Sequence, residues 1–161
     1  MDGPANDDAL GWLADLDPAQ GLHPVQRALR SVADAADPHV EPTRAQIALA
    51  AAELVAAVNG RPSPSLPRAA RDWVAAVGAL PAPRRDADLD TLVLATRALD
   101  MVVTSSQLAD LRSADGTAES WRRALDDLRM RLAAARGMPR NPLNSSPPRA
   151  GPALPAPPAA A

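Results

Sequence analysis

The sequence of 161 residues contains no cysteine, no lysine, no phenylalanine and no tyrosine, and it has only three tryptophans and two histidines. Without cysteine the chain has no disulfides, no thiolate nucleophile and no cysteine-ligated zinc or iron–sulfur site. Without lysine it has no phosphate loop of the Walker type. His23 and His39 are 16 residues apart and match no metal-ligand spacing. From these absences we expect no cofactor, no metal site and no catalytic residues.

The body of the chain also lacks an excess of positive charge. Residues 1–136 carry 15 of the 17 arginines and all 19 acidic residues, which gives a formal charge of −4. Nucleic-acid binding needs a basic face, so this balance predicts no nucleic-acid partner. No apolar run reaches the roughly 18–20 residues of a membrane span, and the first eight residues are acidic, unlike a secretory signal. We expect a cytoplasmic protein that does not enter a membrane.

What the sequence has in abundance is alanine, with 37 residues, and proline, with 18. Eight of the prolines lie in residues 137–161, a segment that has no acidic residue and few large apolar side chains. Such a segment cannot bury enough apolar surface to order itself. We therefore predict a helical domain over residues 1–136 and a disordered Pro/Ala-rich tail over residues 137–161.

Apolar residues recur at helical spacing along the domain, and no alternating strand pattern of useful length is present. The spacing predicts a short helical piece around Leu108 and Leu111, and longer helices over about residues 7–16, 24–36, 42–59, 66–78, 87–104 and 117–136. The sequence thus predicts an all-α fold, a compact bundle of six to seven short helices.

The helix predicted over residues 42–59 differs from the others because it is apolar on nearly every side. Glu53 is the only charged residue between Gln46 and Val58. A helix of this kind is usually buried all round, and its many alanines let neighbouring helices approach closely. We predict that this Ala-rich helix is the centre of the bundle.

Three segments resemble a known bacterial family. The segment 3–16 has an Asn-Asp-Asp-Ala start followed by a Trp-containing helix, the segment 48–63 ends in Asn-Gly-Arg-Pro-Ser, and the segment 121–128 reads Trp-Arg-Arg-Ala-Leu-Asp-Asp-Leu. In these features the chain resembles the family called domain of unknown function 4259, over roughly residues 3–133. The Trp-Gly turn that typically opens the family is missing from this sequence. Because the family has no established activity, the resemblance implies a fold rather than a function.

The resemblance and the position of Glu53 together single out a possible functional motif. Its members are Asn6, Asp7, Asp8, Trp12, Glu53, Asn59 and Arg61. The three residues at the start of the first helix could bind a cation or a basic residue of a partner. The alternative is structural: Asn6 caps the helix, and the two aspartates place negative charge at its positive end.

Glu53 is the most informative single residue, because a carboxylate away from water needs a positively charged partner. One interpretation is an ion pair with an arginine from a neighbouring helix or loop, or partial exposure. The other is an acid/base group or a ligand anchor at the centre of the bundle. An arginine paired with Glu53 would remove the main support for the second interpretation.

These observations favour a small non-enzymatic helical protein that binds or regulates another protein. One alternative is an immunity-type protein that neutralises a toxin, since many of those proteins are small and acidic. A further alternative is an enzyme with a carboxylate site built on Glu53 and the acidic N-terminal turn.

Overall fold

The protein is described by a computed structural model over residues 4–37, 39–81, 89–105 and 107–137. This part of the chain forms α1 (Pro4–Ala14), a 3-10 helix (Pro18–Gln20), α2 (His23–Ala33), α3 (Pro42–Val58), α4 (Arg68–Gly78), α5 (Leu89–Ser105), α6 (Gln107–Ala114) and α7 (Ala118–Gly137). Over these residues the structure contains no β-strand, so the predicted all-α fold is confirmed. The predicted tail beyond Gly137 lies outside the described residues.

The Ala-rich helix α3 lies at the centre of the bundle, as the sequence predicts. It contacts each of the other six described helices. Its buried residues are Ala45, Gln46, Ala48, Ala51, Ala52, Leu54, Val55, Ala56 and Ala57. Methyl side chains on so many sides allow α2, α5 and α1 to pack closely around the same axis. Within the described residues, no helix combines the length and the apolar character needed to cross a membrane.

The helix α2 shows how the apolar stripe of the sequence becomes part of the core. Pro24 lies in its first turn, where a missing N–H has no cost. Val25, Leu29 and Val32 recur on one face, and all three are fully buried. This face packs against both α3 and α5.

Two predicted helix starts are wrong, and proline explains both. The first helix begins at Pro4, which suits a first helical turn, so Asn6 is its third residue and not its cap. The fourth helix begins at Arg68, after an extended Pro67 at the cap position. A residue before proline is disfavoured in the helical conformation, so the helix cannot begin at residue 66 as predicted. In the preceding loop the backbone N–H of Ser65 donates to the Ser63 hydroxyl at 3.3 Å.

The end of α3 is built by the Asn-Gly-Arg sequence. Gly60 adopts a left-handed conformation with φ +77°, and its N–H donates to the Ala57 carbonyl at 3.0 Å. The Arg61 N–H donates to the Ala56 carbonyl at 2.9 Å, which completes a Schellman cap. The Asn59 side chain adds a hydrogen bond from Nδ2 to the Val55 carbonyl at 2.7 Å. The helix stop predicted from the sequence is therefore a fully hydrogen-bonded turn.

The conformation of Gly60 generates a stability prediction. Gly60→Ala should lower the free energy of unfolding by about 1 kcal/mol, because a side chain is strained in the left-handed region. Space is not the cause, since a Cβ at this position would meet no atom within 4 Å. Urea denaturation followed by circular dichroism measures the change.

Gly11→Ala is the matched control, because Gly11 also has open space around it but lies inside α1. That change should raise the free energy of unfolding by about 0.5–1 kcal/mol, the usual gain on replacing a helical glycine. A gain in stability for both variants would contradict the role given to Gly60.

Candidate functional site

Glu53 on α3 is paired with Arg131 on α7. Arg131 donates from Nη2 to Glu53 Oε1 and from Nη1 to Glu53 Oε2, and both distances are 2.7 Å. The Arg131 and Glu53 side chains are only 14% and 26% exposed. This is the bidentate arginine–carboxylate geometry, in which two parallel hydrogen bonds make the ion pair strong and directional. The ion-pair interpretation of Glu53 is the one that the structure supports.

Arg131 also joins two further groups to this pair. Its Nε donates to Asp127 Oδ2 at 2.7 Å, one turn earlier on α7, and its Nη1 donates to the Arg61 carbonyl at 3.2 Å. The hydrogen bond with Glu53 raises the pKa of Arg131 above its ordinary value, although burial opposes the shift, and Asp127 adds to the increase. Arg131 therefore stays charged and ties α3, the turn after it and α7 together.

A partly open cavity of about 260 Å³ lies beside this pair, and we call it the groove. It is bounded by α1, α3, α6, α7, Ala70 of α4 and the loop 63–67. Much of its wall is leucine, contributed by Leu10, Leu13, Leu49, Leu54, Leu66, Leu108, Leu125 and Leu128. Leu10 and Ala124 are exposed residues of the lining and mark its open side. The lining is mainly apolar with a few polar side chains among the leucines.

Two polar side chains of the groove lack hydrogen bonds. Gln46 is 7% exposed, and neither its Oε1 nor its Nε2 has a partner in the part of the chain that the structure describes. The buried Nε of Arg112 is also without a hydrogen-bond partner there. A buried polar atom left unpaired costs about 1–3 kcal/mol, and native proteins contain few of them. Trp73 Nε1 also has no partner among the described residues, but Trp73 does not line the groove.

The acidic start of α1 is separate from the groove. Asp8 Oδ2 accepts a hydrogen bond from Thr43 Oγ1 at 2.9 Å, which joins α1 to the first turn of α3. Asp7 is exposed, and neither aspartate lines the groove that Glu53 lines. The Asn6 side chain lies outside the described residues. Among the residues described, no cluster of three or more His, Cys, Asp or Glu side chains could hold a metal ion.

The structure therefore brings three of the seven sequence candidates together around Arg131. Glu53 and Arg61 meet at Arg131, and Asn59 stabilises the turn that places the Arg61 carbonyl there. Trp12 is half-buried and packs against the core, apart from the groove lining.

Sequence reasoning did not identify Gln46 and Arg112 as candidates. One signal was available for Gln46, because Gln46, Ala50 and Glu53 follow i, i+4, i+7 spacing and so share one face of α3. All three line the groove. No comparable pattern in the sequence links Arg112 to them.

A family model described as a domain of unknown function, DUF4259, matches residues 5–124. The chain belongs to this family. No curated protein and no solved structure matches the chain. The part matched to DUF4259 includes Gln46, Glu53 and Arg112, and it ends before Arg131.

The ion pair of this DUF4259 domain generates a second prediction. Arg131→Met should lower the free energy of unfolding by about 2–3 kcal/mol, because it leaves the Glu53 carboxylate largely buried and unpaired. Replacing Glu53 and Arg131 together by methionine should recover most of the loss, since no lone charge then remains. Urea denaturation of the single and double variants measures both effects.

Arg123→Met is the control for the same change on the same helix. Arg123 pairs with Glu119, and their side chains are 74% and 79% exposed. An exposed pair of this kind contributes less than about 1 kcal/mol. Equal losses of unfolding free energy for Arg131→Met and Arg123→Met would show that the Glu53–Arg131 pair stabilises the fold no more than an exposed ion pair does.

The unpaired amide generates a third prediction. Gln46→Met should raise the free energy of unfolding by about 1 kcal/mol, because an apolar side chain of similar length removes the unpaired polar atoms. Gln26→Met should instead lower it, because Gln26 Nε2 donates to Thr91 Oγ1 at 2.8 Å. Thermal and urea unfolding of the two variants test the contrast, and a loss of stability in Gln46→Met would contradict it.

Proposed function

We propose that this domain is a non-catalytic protein-binding module that receives an apolar segment of a partner protein in the groove. The observation that carries the proposal is the combination of a leucine-lined, partly open groove with a Glu53 carboxylate whose two oxygens are both bound by Arg131. A carboxylate held in this way is a fixed part of the wall. The enzyme alternative needs an unpaired Glu53, so it loses its main support.

The chemistry of the groove favours burial of apolar side chains. Removing apolar surface from water contributes roughly 25 cal/mol per Å², and the leucines of the wall supply that surface. A few polar side chains among them, such as Ser63 and Ser65, would fix the orientation of the bound segment. The proposal therefore concerns a short segment that enters the groove.

The class of the partner and the place where the two proteins meet are inferred from the sequence alone. A body with a formal charge of −4 has no general attraction for nucleic acid, so the proposed partner is a protein. We expect the two proteins to meet in the cytoplasm.

Site-specific photo-cross-linking tests the proposal. Benzoylphenylalanine would replace Ala124, which is exposed on α7 and lines the groove. The control position is Ala133, which is exposed on the same helix and does not line the groove. In cells that express the protein, we expect one partner protein to cross-link at position 124 and not at position 133.

The partner identified in this way would then be purified and titrated. Ala124→Trp should fill the groove and weaken binding at least about tenfold, the loss of roughly 1.4 kcal/mol of contact. Ala133→Trp should leave the affinity unchanged, and melting curves of both variants would verify that they fold. Equal cross-linking at the two positions, or an affinity that Ala124→Trp does not change, would refute the proposal.

A further inference from the structure

We propose that the groove is occupied by a segment of this same chain, residues 138–148, which follow the end of α7 and which we call the proline segment. The segment competes with a partner for the groove and so regulates binding. The occupancy needs no partner, and only its regulatory consequence rests on the proposed protein-binding function. The place where α7 ends, the sequence that follows and the charges along the path all favour this occupant.

The face of α7 that lines the groove leads directly to the end of the helix. Its groove-lining residues run from Trp121 to Leu128. Arg131 lies one turn further along the same face and binds Glu53 of the groove wall. At 1.5 Å per residue, Gly137 lies about 14 Å beyond Leu128 along the helix axis. A chain that reverses after Gly137 therefore passes Arg131 first and then reaches the groove.

The proline segment is long enough to reach the leucine wall. Leu143 is six residues after Gly137. In a polyproline II conformation these residues span about 19 Å, at 3.1 Å per residue. Measured along α7 from Gly137, Leu128 is about 14 Å away and Ala124 about 20 Å away. In a reversed chain Leu143 would therefore lie over the part of the groove that these two residues line.

The composition of the proline segment suits an apolar groove that contains a tryptophan. Four of its eleven residues are proline, and Leu143 lies directly after one of them. Proline favours the polyproline II conformation, which has no internal hydrogen bonds and docks in aromatic-lined grooves at a low cost in entropy. Pro147 and Pro148 are far enough along the segment to reach Trp121, which lines the groove. The segment cannot bury enough apolar surface by itself, and the groove supplies that surface.

The charges along this path are complementary. Arg131 pairs with two carboxylates, Glu53 and Asp127, so one negative charge remains among the three side chains. The Asp127 side chain is 59% exposed and accessible to a further cation. Arg140 is three residues after Gly137, which is about 9 Å of chain, and Arg131 lies about 9 Å from Gly137 along α7. Arg140 would therefore pass this cluster and interact with Asp127.

Attachment to α7 allows a weak contact to fill the groove. A short tether gives an effective concentration on the order of 1 mM. A segment that binds as a free peptide with a Kd of about 0.1 mM would then occupy the groove in about nine-tenths of the molecules. A partner that needs the free groove would bind about tenfold more weakly.

A synthetic peptide of residues 138–148, added to the full chain, tests the occupancy without a partner. In the wild-type chain the attached segment should compete with the peptide. Leu143→Asp should release the attached segment, because a charge is unfavourable against the leucine wall, so the peptide should bind about tenfold more tightly. Leu154→Asp is the matched control outside the segment and should bind the peptide as the wild type does. NMR titrations that follow the indole N–H of Trp121 measure the affinities.

Photo-cross-linking of the purified full chain tests the position of the segment. With benzoylphenylalanine at position 124, digestion with trypsin and mass spectrometry should find residues 141–149 attached to residues 124–129. The same probe at position 133 should give no such product. Arg140→Gln should lower the cross-linking yield several-fold at low ionic strength and much less in high salt, because salt screens its attraction to Asp127. Arg149→Gln, outside the segment, is the control.

Four results would overturn the inference. Equal peptide affinity for the wild type and Leu143→Asp, or no binding to either, would show that the attached segment does not fill the groove. Cross-links to residues 150–161 would refute the assigned segment, and cross-linked dimers in place of monomers would assign the groove to a second copy. A cellular partner cross-link at position 124 that Leu143→Asp does not increase would refute the regulation. That same cross-link would leave the proposed protein-binding function intact.

Discussion

Close packing around one alanine-rich helix is the constraint on which the rest of the structure depends. Six other helices contact α3, and such crowding requires small side chains on nearly all of its faces. A larger residue at Ala51, Ala52 or Ala56, each of which is fully buried, would push a neighbouring helix outward. Few positions of α3 can therefore carry a polar side chain.

The ion pair at Glu53 connects the end of α3 to α7 through a chain of specific contacts. The Schellman turn at Gly60 orients the Arg61 carbonyl, Arg131 donates to that carbonyl, and the same guanidinium holds Glu53. One short sequence, Asn59 to Arg61, thus both ends a helix and contributes to a tertiary contact. A helix stop that looks purely local has a second role that depends on the packing of α7.

The face of α3 that lines the groove carries one polar side chain that stabilises the fold and one that lowers its stability. On the same face of α3, Arg131 binds both oxygens of Glu53, whereas the polar atoms of the Gln46 side chain have no hydrogen-bond partner among the described residues. A buried unpaired amide lowers stability, and an apolar side chain of similar length would remove the unpaired atoms.

The sequence by itself determined the helical fold, the central position of α3 and its stop at Asn59, because these depend on side chains within about four residues along the chain. It misjudged the starts of α1 and α4, where a proline lies in the first turn of α1 and at the cap position of α4. Only the tertiary structure decided which arginine pairs with Glu53, since Arg131 is 78 residues away and several arginines were equally available. The same holds for Gln46 and Arg112, which lie on different helices and line the same groove only because α6 packs against α3. Helix periodicity specifies a face, whereas helix packing specifies what that face meets.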